Sequence, residues 1–292
     1  MENDLDLYEA AKNLPENWWQ TLTTCQILSK QFEKHMVGLM ASGNIYGIDQ
    51  MVLFTGFLIL YNQTLIWFTA GHVIDCIKDI ISNSAKDNLQ LKWLDGITIP
   101  GAVGIPILRE NIRMFSGTKW NFDFGTTIIS NLLEREAILN NGFSIPLSTK
   151  HLAYRRDKQP EGFYVVGFPT DQLEKSEVKI SLNVVRQKIE AKLIPIPIQH
   201  IPFPLDNSRE DIFDDPNAFY GKILDYPDSP DFRPDINGMS GGPIISIERD
   251  SAMQFRYFVY GIQKSWYRES RIIRAEPIET IIEILNNVES NP

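Results

Sequence analysis

The chain has 292 residues, 43% hydrophobic and 22% charged, with a formal charge of −9. That length suits one large domain or two, the apolar fraction excludes a disordered chain, and no apolar run approaches the roughly 18 residues of a membrane span. The net acidity excludes general nucleic-acid binding, because no basic field would gather phosphates.

Trp18, Leu22, Cys25 and Phe32 recur at helical spacing after Pro15-Glu16, which predicts a helix within a 1–35 extension. From residue 36 the pattern changes to short apolar runs separated by turn residues. Segments 35–41, 51–61, 65–69, 90–93, 97–99 and 125–129 read as strands. A second set begins near Gly162, with strands expected at 163–166, 178–185, 244–247 and 255–262. Many short strands and few helices predict an all-β fold, sandwich or barrel. Between 178–185 and 244–247, residues 206–235 hold nine acids against three bases and four prolines, and read as a long loop. At the end, Ile278, Ile281, Ile282 and Leu285 follow Pro277 at the spacing of one helical face. Glu279 and Glu283 on the other face make this a structural clamp rather than a membrane-surface helix.

The opening stretch MENDLDLYEA lacks the basic-then-apolar pattern of a secretory leader. Two cysteines, Cys25 and Cys76, cannot build a disulfide framework, so a reducing cytoplasm is the expected setting.

With four histidines, each imidazole can be weighed in turn. His35, His151 and His200 lie in charged or proline-rich surroundings without a signature, and read as surface or packed rings. His72 differs. It ends the apolar run Ile66-Trp67-Phe68-Thr69-Ala70-Gly71, where small residues let the backbone turn and present the ring to a cleft.

A second element is Gly238-Met239-Ser240-Gly241-Gly242-Pro243. Glycines on both sides of one serine let the main chain curl so that successive N–H groups converge. A serine hydroxyl is a weak nucleophile that needs a base, and an oxyanion needs fixed donors, here the N–H groups of Gly238 and Ser240. The base in turn needs a carboxylate to fix its tautomer. Asp123, between Phe122 and Phe124 at the mouth of an apolar strand, is the candidate. Asp75, Asp79, Asp87 and Asp95 sit in polar surroundings where solvation accounts for them.

The stretches Thr69-Ala70-Gly71-His72, Asp123-Phe124-Gly125 and 238–243, in that order, resemble the chymotrypsin-like (trypsin-fold) serine peptidases. Thr55-Gly56-Phe57-Leu58 also fits the pattern, and Val165-Val166-Gly167-Phe168-Pro169 resembles the opening strand of that family's second barrel. The resemblance covers about residues 36–290. It implies two six-stranded antiparallel β-barrels, at 36–158 and 159–292, with the helical 1–35 extension and a C-terminal helix. It further implies a His72–Asp123–Ser240 triad acting on a protein or peptide substrate, with no cofactor and no metal. Val259, Tyr260 and Gly261 resemble the strand that pairs with substrate, and Asp235 or Asp231 could place negative charge in the specificity pocket. Met239 stands where the zymogen-activated branch has an aspartate, and Val73 follows His72 where a cysteine would sit, so the likeness is to the bacterial or intracellular branch. Such an enzyme in the cytoplasm needs restraint, by narrow specificity or an activating protein partner. The alternative is a non-catalytic binding scaffold on the same fold.

Overall fold

The apolar runs pair mostly into antiparallel sheets. The computed structural model describes residues 17–84, 88–94, 104–118, 122–140, 144–153, 160–170, 173–181, 184–203, 215–233, 235–249 and 255–290. Pro15, Glu16 and the strand expected at 97–99 lie outside them.

The first helix, α1 (Leu22–Phe32), begins where the Thr21 hydroxyl accepts from the Thr24 N–H, and it buries Cys25, Leu28 and Phe32. It is fastened to the C-terminal half of the chain. Ser29 donates to the Leu193 carbonyl at 2.7 Å, and the buried Tyr164 hydroxyl donates to the Trp19 carbonyl. Asp228 accepts from the N–H groups of Leu22 and Thr23 at 2.7 and 3.3 Å, a carboxylate placed on a helix N-terminus.

The N-terminal half runs β1 (Gly38–Ile45), β2 (Ile48–Phe54), β3 (Phe57–Tyr61), β4 (Thr64–Thr69), then α2 (Gly71–Asn83). It continues with β5 (Leu89–Leu94), β6 (Ile105–Ile107), β7 (Arg113–Ser116), β8 (Gly125–Ile128), α3 (Leu132–Asn140) and β9 (Leu147–Ser148). These strands make two sheets, in the orders β2-β1-β5-β6 and β7-β8-β4-β3-β9. Both sheets share one core, with Leu39, Ala41, Leu91 and Trp93 from the first meeting Leu65 and Trp67 from the second. Val73, Ile74, Ile77 and Ile80 of α2 close it. The corner between the sheets is pinned by Val37 N–H on the Gly56 carbonyl at 3.0 Å and by the Trp67 indole on the Val37 carbonyl at 2.7 Å.

The C-terminal half holds β10 (Gly162–Gly167), the hairpin β11 (Leu173–Ser181) and β12 (Val184–Ala191), then β13 (Ile194–Ile201) and β14 (Phe219–Ile223). It ends with β15 (Pro243–Arg249), β16 (Phe255–Tyr267), β17 (Ile272–Pro277) and α4 (Ile278–Ser290). Six strands close a barrel in the order β10-β13-β14-β17-β16-β15 around Val165, Ile196, Ile198, Phe219, Ile244 and Ile273. Helix α4 follows β17 directly and buries Ile278, Ile281 and Ile282, as its periodicity predicts.

The molecule is thus mostly β, with one closed six-stranded antiparallel barrel and further sheets; of the two barrels expected, the C-terminal one closes. Local differences from the sequence reading have physical causes. The run at 51–61 is two strands broken at Thr55-Gly56, and 178–185 takes in the end of β11 and the start of β12, which pair with each other. The acidic segment is not wholly a loop, because Phe219 and Ile223 turn into the core as part of a barrel strand. Of the surface or packed alternatives, His35 and His151 take the packed one: His35 Nε2 lies 2.6 Å from the Tyr257 hydroxyl, and the His151 ring stacks on Tyr257. Among the described residues no helix is long and apolar enough to cross a membrane.

Candidate active site

Helix α2 starts after Ala70, which has no side chain able to cap it, so its first N–H groups need an acceptor from elsewhere. Asp123, just before β8, supplies it. Its Oδ1 accepts the His72 N–H at 2.8 Å, and its Oδ2 lies 2.9 Å from His72 Nδ1. One carboxylate therefore grips both the main chain and the ring of His72. The acceptor at Nδ1 makes that nitrogen the protonated one and leaves the basic lone pair on Nε2. The Asp123 side chain is 22% exposed and that of His72 48%. Burial works against the Asp123 charge, but the His72 ring and N–H, with the Lys264 ammonium, hold its carboxyl below the usual carboxylate range.

The serine segment is a pair of tight turns. The Met239 N–H reaches the Ile236 carbonyl at 3.1 Å, and the Gly242 N–H reaches the Met239 carbonyl at 2.8 Å. Gly238 and Gly241 take φ of 88° and 91°, which L side chains rarely adopt. Met239 is fully buried in the barrel core, which leaves Ser240 half-buried at the surface of the turn. The turn is held to the N-terminal half by the Thr55 hydroxyl, which donates to the Gly238 carbonyl at 2.7 Å.

Gly241 is the point of closest approach. A Cβ there would lie 2.0 Å from Thr69 Oγ1 and 2.9 Å from the Ala70 nitrogen. The serine turn thus abuts the segment that delivers His72, and the structure brings His72, Asp123 and Ser240 into one region across the two halves. Among the described residues no hydrogen bond joins Ser240 to His72. The N–H groups of Gly238 and Ser240 donate to no acceptor among the described residues.

The residues expected to pair with substrate have partners within the protein. Val259 is fully buried, paired with Ile245, and its carbonyl accepts the Ala153 N–H at 2.8 Å. Tyr260 packs on Phe163 and Phe219, and Gly261 sits between Ile244 and Pro277. The main chain level with the serine turn belongs instead to Gln263, which accepts from Gly241 N–H at 2.8 Å and donates to the Gly242 carbonyl at 2.9 Å. The apolar run 255–262 gave no sign that the strand continues through polar residues to Tyr267. Asp235 accepts from the Asn237 N–H and side-chain amide at 3.1 and 2.9 Å, and Arg268 stands 3.8 Å away. Its charge is engaged in shaping the entry to the turn, and Asp231 is exposed.

Two residues that sequence reasoning missed lie behind the aspartate. The Asp123 N–H donates to Glu276 Oε1 at 3.2 Å, and the same oxygen is 2.5 Å from Lys264 Nζ. The Lys264 side chain is 5% exposed and that of Glu276 2%. Lys264 stands between Gln263 and Ser265 and Glu276 two residues after Arg274, so neither leaves a signal in the sequence. Among the described residues no group of three or more His, Cys, Asp and Glu could hold a metal ion. Compared with protein-family models and with curated proteins, the sequence finds no match.

Proposed function

We propose that this chain is a serine endopeptidase of the chymotrypsin-like kind, with the N-terminal sheets as the counterpart of the first barrel. The observation that carries the reading is the double grip of Asp123 on His72 beside a glycine-lined turn that holds Ser240. In this reading Ser240 Oγ attacks the scissile carbonyl carbon while its proton passes to His72 Nε2, and Asp123 stabilises the imidazolium. The carbonyl oxygen becomes an oxyanion held by the Gly238 and Ser240 N–H groups. The tetrahedral adduct collapses, the C–N bond breaks, and the amine leaves with the proton from His72. Water, deprotonated by His72, then hydrolyses the acyl-enzyme and returns Ser240.

Activity confined by narrow specificity or by a protein partner fits the placement of the extension. Asp228, upstream of the serine turn, caps α1, so an event that moves α1 would reach the approach to Ser240. A peptide library incubated with the purified protein tests the proposal: cleavage at defined bonds, abolished by Ser240→Ala, is expected. Absence of turnover on the library and on denatured proteins, with or without candidate partners, would leave the binding scaffold as the reading.

A further inference from the structure

Lys264 and Glu276 form a buried ion pair with no part in the proton transfers above. Replacing such a pair with well-packed apolar residues is often neutral for stability, so stability alone is a weak reason for two charges there. Their location is more informative. Glu276 belongs to β17 and Lys264 to β16, both in the barrel, whereas Asp123 belongs to the N-terminal half.

Lys264 sits where the β16–β17 register shifts between Gln263 and Ser265. Such a bulge re-aims a side chain, and here Gln263 and Lys264 are consecutive yet both buried, at 1% and 7% exposure. The lysine thus turns inward to meet Glu276, and Glu276 receives the Asp123 N–H. Gln263, the residue before it, carries both main-chain bonds to the serine turn. A continuous path of contacts results: Ser240 is followed in sequence by Gly241, Gly241 bonds to Gln263, Gln263 is followed by Lys264, and from there the path runs through Glu276 and Asp123 to His72.

We propose that Lys264 and Glu276 are positioning residues that fix Asp123, and through it His72, in register with Ser240 across the two halves of the molecule. The inference rests on the serine-peptidase reading for its kinetic consequence, but its geometric content stands apart from it. The ammonium also adds to the field that keeps Asp123 ionised.

Two double variants separate the roles. Lys264→Met/Glu276→Gln removes both charges but keeps an oxygen for the Asp123 N–H; Lys264→Met/Glu276→Leu removes that acceptor as well. The readouts are the rate of labelling by a fluorophosphonate probe and the titration of the Asp123 carboxyl by ¹³C NMR, assigned with Asp123→Asn. The first variant is expected to label within a few-fold of wild type, and the second about 10- to 100-fold more slowly while still folded, the scale of a misplacement near 1 Å. In the leucine variant Asp123 loses its placement against the ring and N–H of His72, and its midpoint should rise; the glutamine variant, which keeps the acceptor and exchanges a net-neutral pair for a neutral one, should move it less. Wild-type labelling by the leucine variant, or an Asp123 midpoint no higher in it than in the glutamine variant, would overturn the proposal. If the wild type itself is not labelled, the peptidase reading fails, and the Asp123 titration still decides this one.

Discussion

Asp123→Asn separates a catalytic aspartate from a helix cap. The asparagine keeps an oxygen for the His72 N–H, now accepted at 2.8 Å, so the start of α2 retains its acceptor. What it loses is the charge facing His72 Nδ1 at 2.9 Å. A hydrogen bond to a charged group contributes about 1.5–3 kcal/mol when well buried; with the imidazole about half-exposed, about 1–2 kcal/mol is expected. For a chain of this size that lowers the melting temperature by a few degrees. The effect on reactivity should be far larger. An amide facing Nδ1 favours the tautomer with the proton on Nε2, the wrong nitrogen to accept from Ser240, and the loss in such triads is about 10⁴-fold, or ~5.4 kcal/mol. Labelling rates at pH 7 with a fluorophosphonate, measured beside calorimetric melting, give both quantities. A variant that melts a few degrees lower yet labels within a few-fold of wild type would refute the catalytic role and leave Asp123 as a cap.

Acid should destabilise the protein through His35. Burial holds its pKa down at about 4, with Lys34 and His151 adding to the effect against the Ile145 carbonyl bond, while the unfolded ring titrates near 6.5. The folded state therefore refuses a proton that the unfolded state accepts, and stability falls as pH drops from 6.5 towards 4, by ~3 kcal/mol in all. Denaturant midpoints across that range, compared with His35→Gln, check it; an unchanged slope in the variant would contradict it. Asp123 has the depressed-carboxylate sign, so its contribution persists above about pH 4 and is lost only as pH falls through its lower folded value. Gly241→Ala forces a methyl to within 2.0 Å of Thr69 Oγ1 at a φ of 91°, and should destabilise the fold by more than ~2 kcal/mol and abolish labelling. A stable, labelled Gly241→Ala protein would show that the turn does not abut the His72 segment. Asp228→Ala removes the acceptor for the N–H groups of Leu22 and Thr23, and should weaken α1 by about 1 kcal/mol, read as faster amide exchange confined to that helix.

The elements legible in the sequence were those whose signal is local. The stripe Ile278, Ile281, Ile282 needs only the helical period, and β4 needs only an unbroken apolar run between turn residues. The serine turn was legible because glycines at positive φ leave a compositional trace at Gly238 and Gly241. What the sequence hid was decided by tertiary contacts. β13 reads Ile-Pro-Ile-Pro-Ile, a pattern that argues against a strand, yet Pro195 and Pro197 both lie in its paired segment. β14 is masked by the acids and prolines that flank it. His35 is buried because Tyr257 and the Ile145 carbonyl, far away in sequence, bond to both its nitrogens. Lys264 and Glu276 become visible only once a bulge turns the lysine inward. The same holds for Asp123, whose phenylalanine neighbours required a partner without naming the main-chain N–H that provides half of it.

The most direct measurement is to map where a fluorophosphonate adds to the native protein, by peptide mass spectrometry of the adduct. The account predicts a single adduct on Ser240, absent in Ser240→Ala and strongly slowed in His72→Ala. Equal labelling of wild type and Ser240→Ala, or an adduct on any other residue, would contradict it.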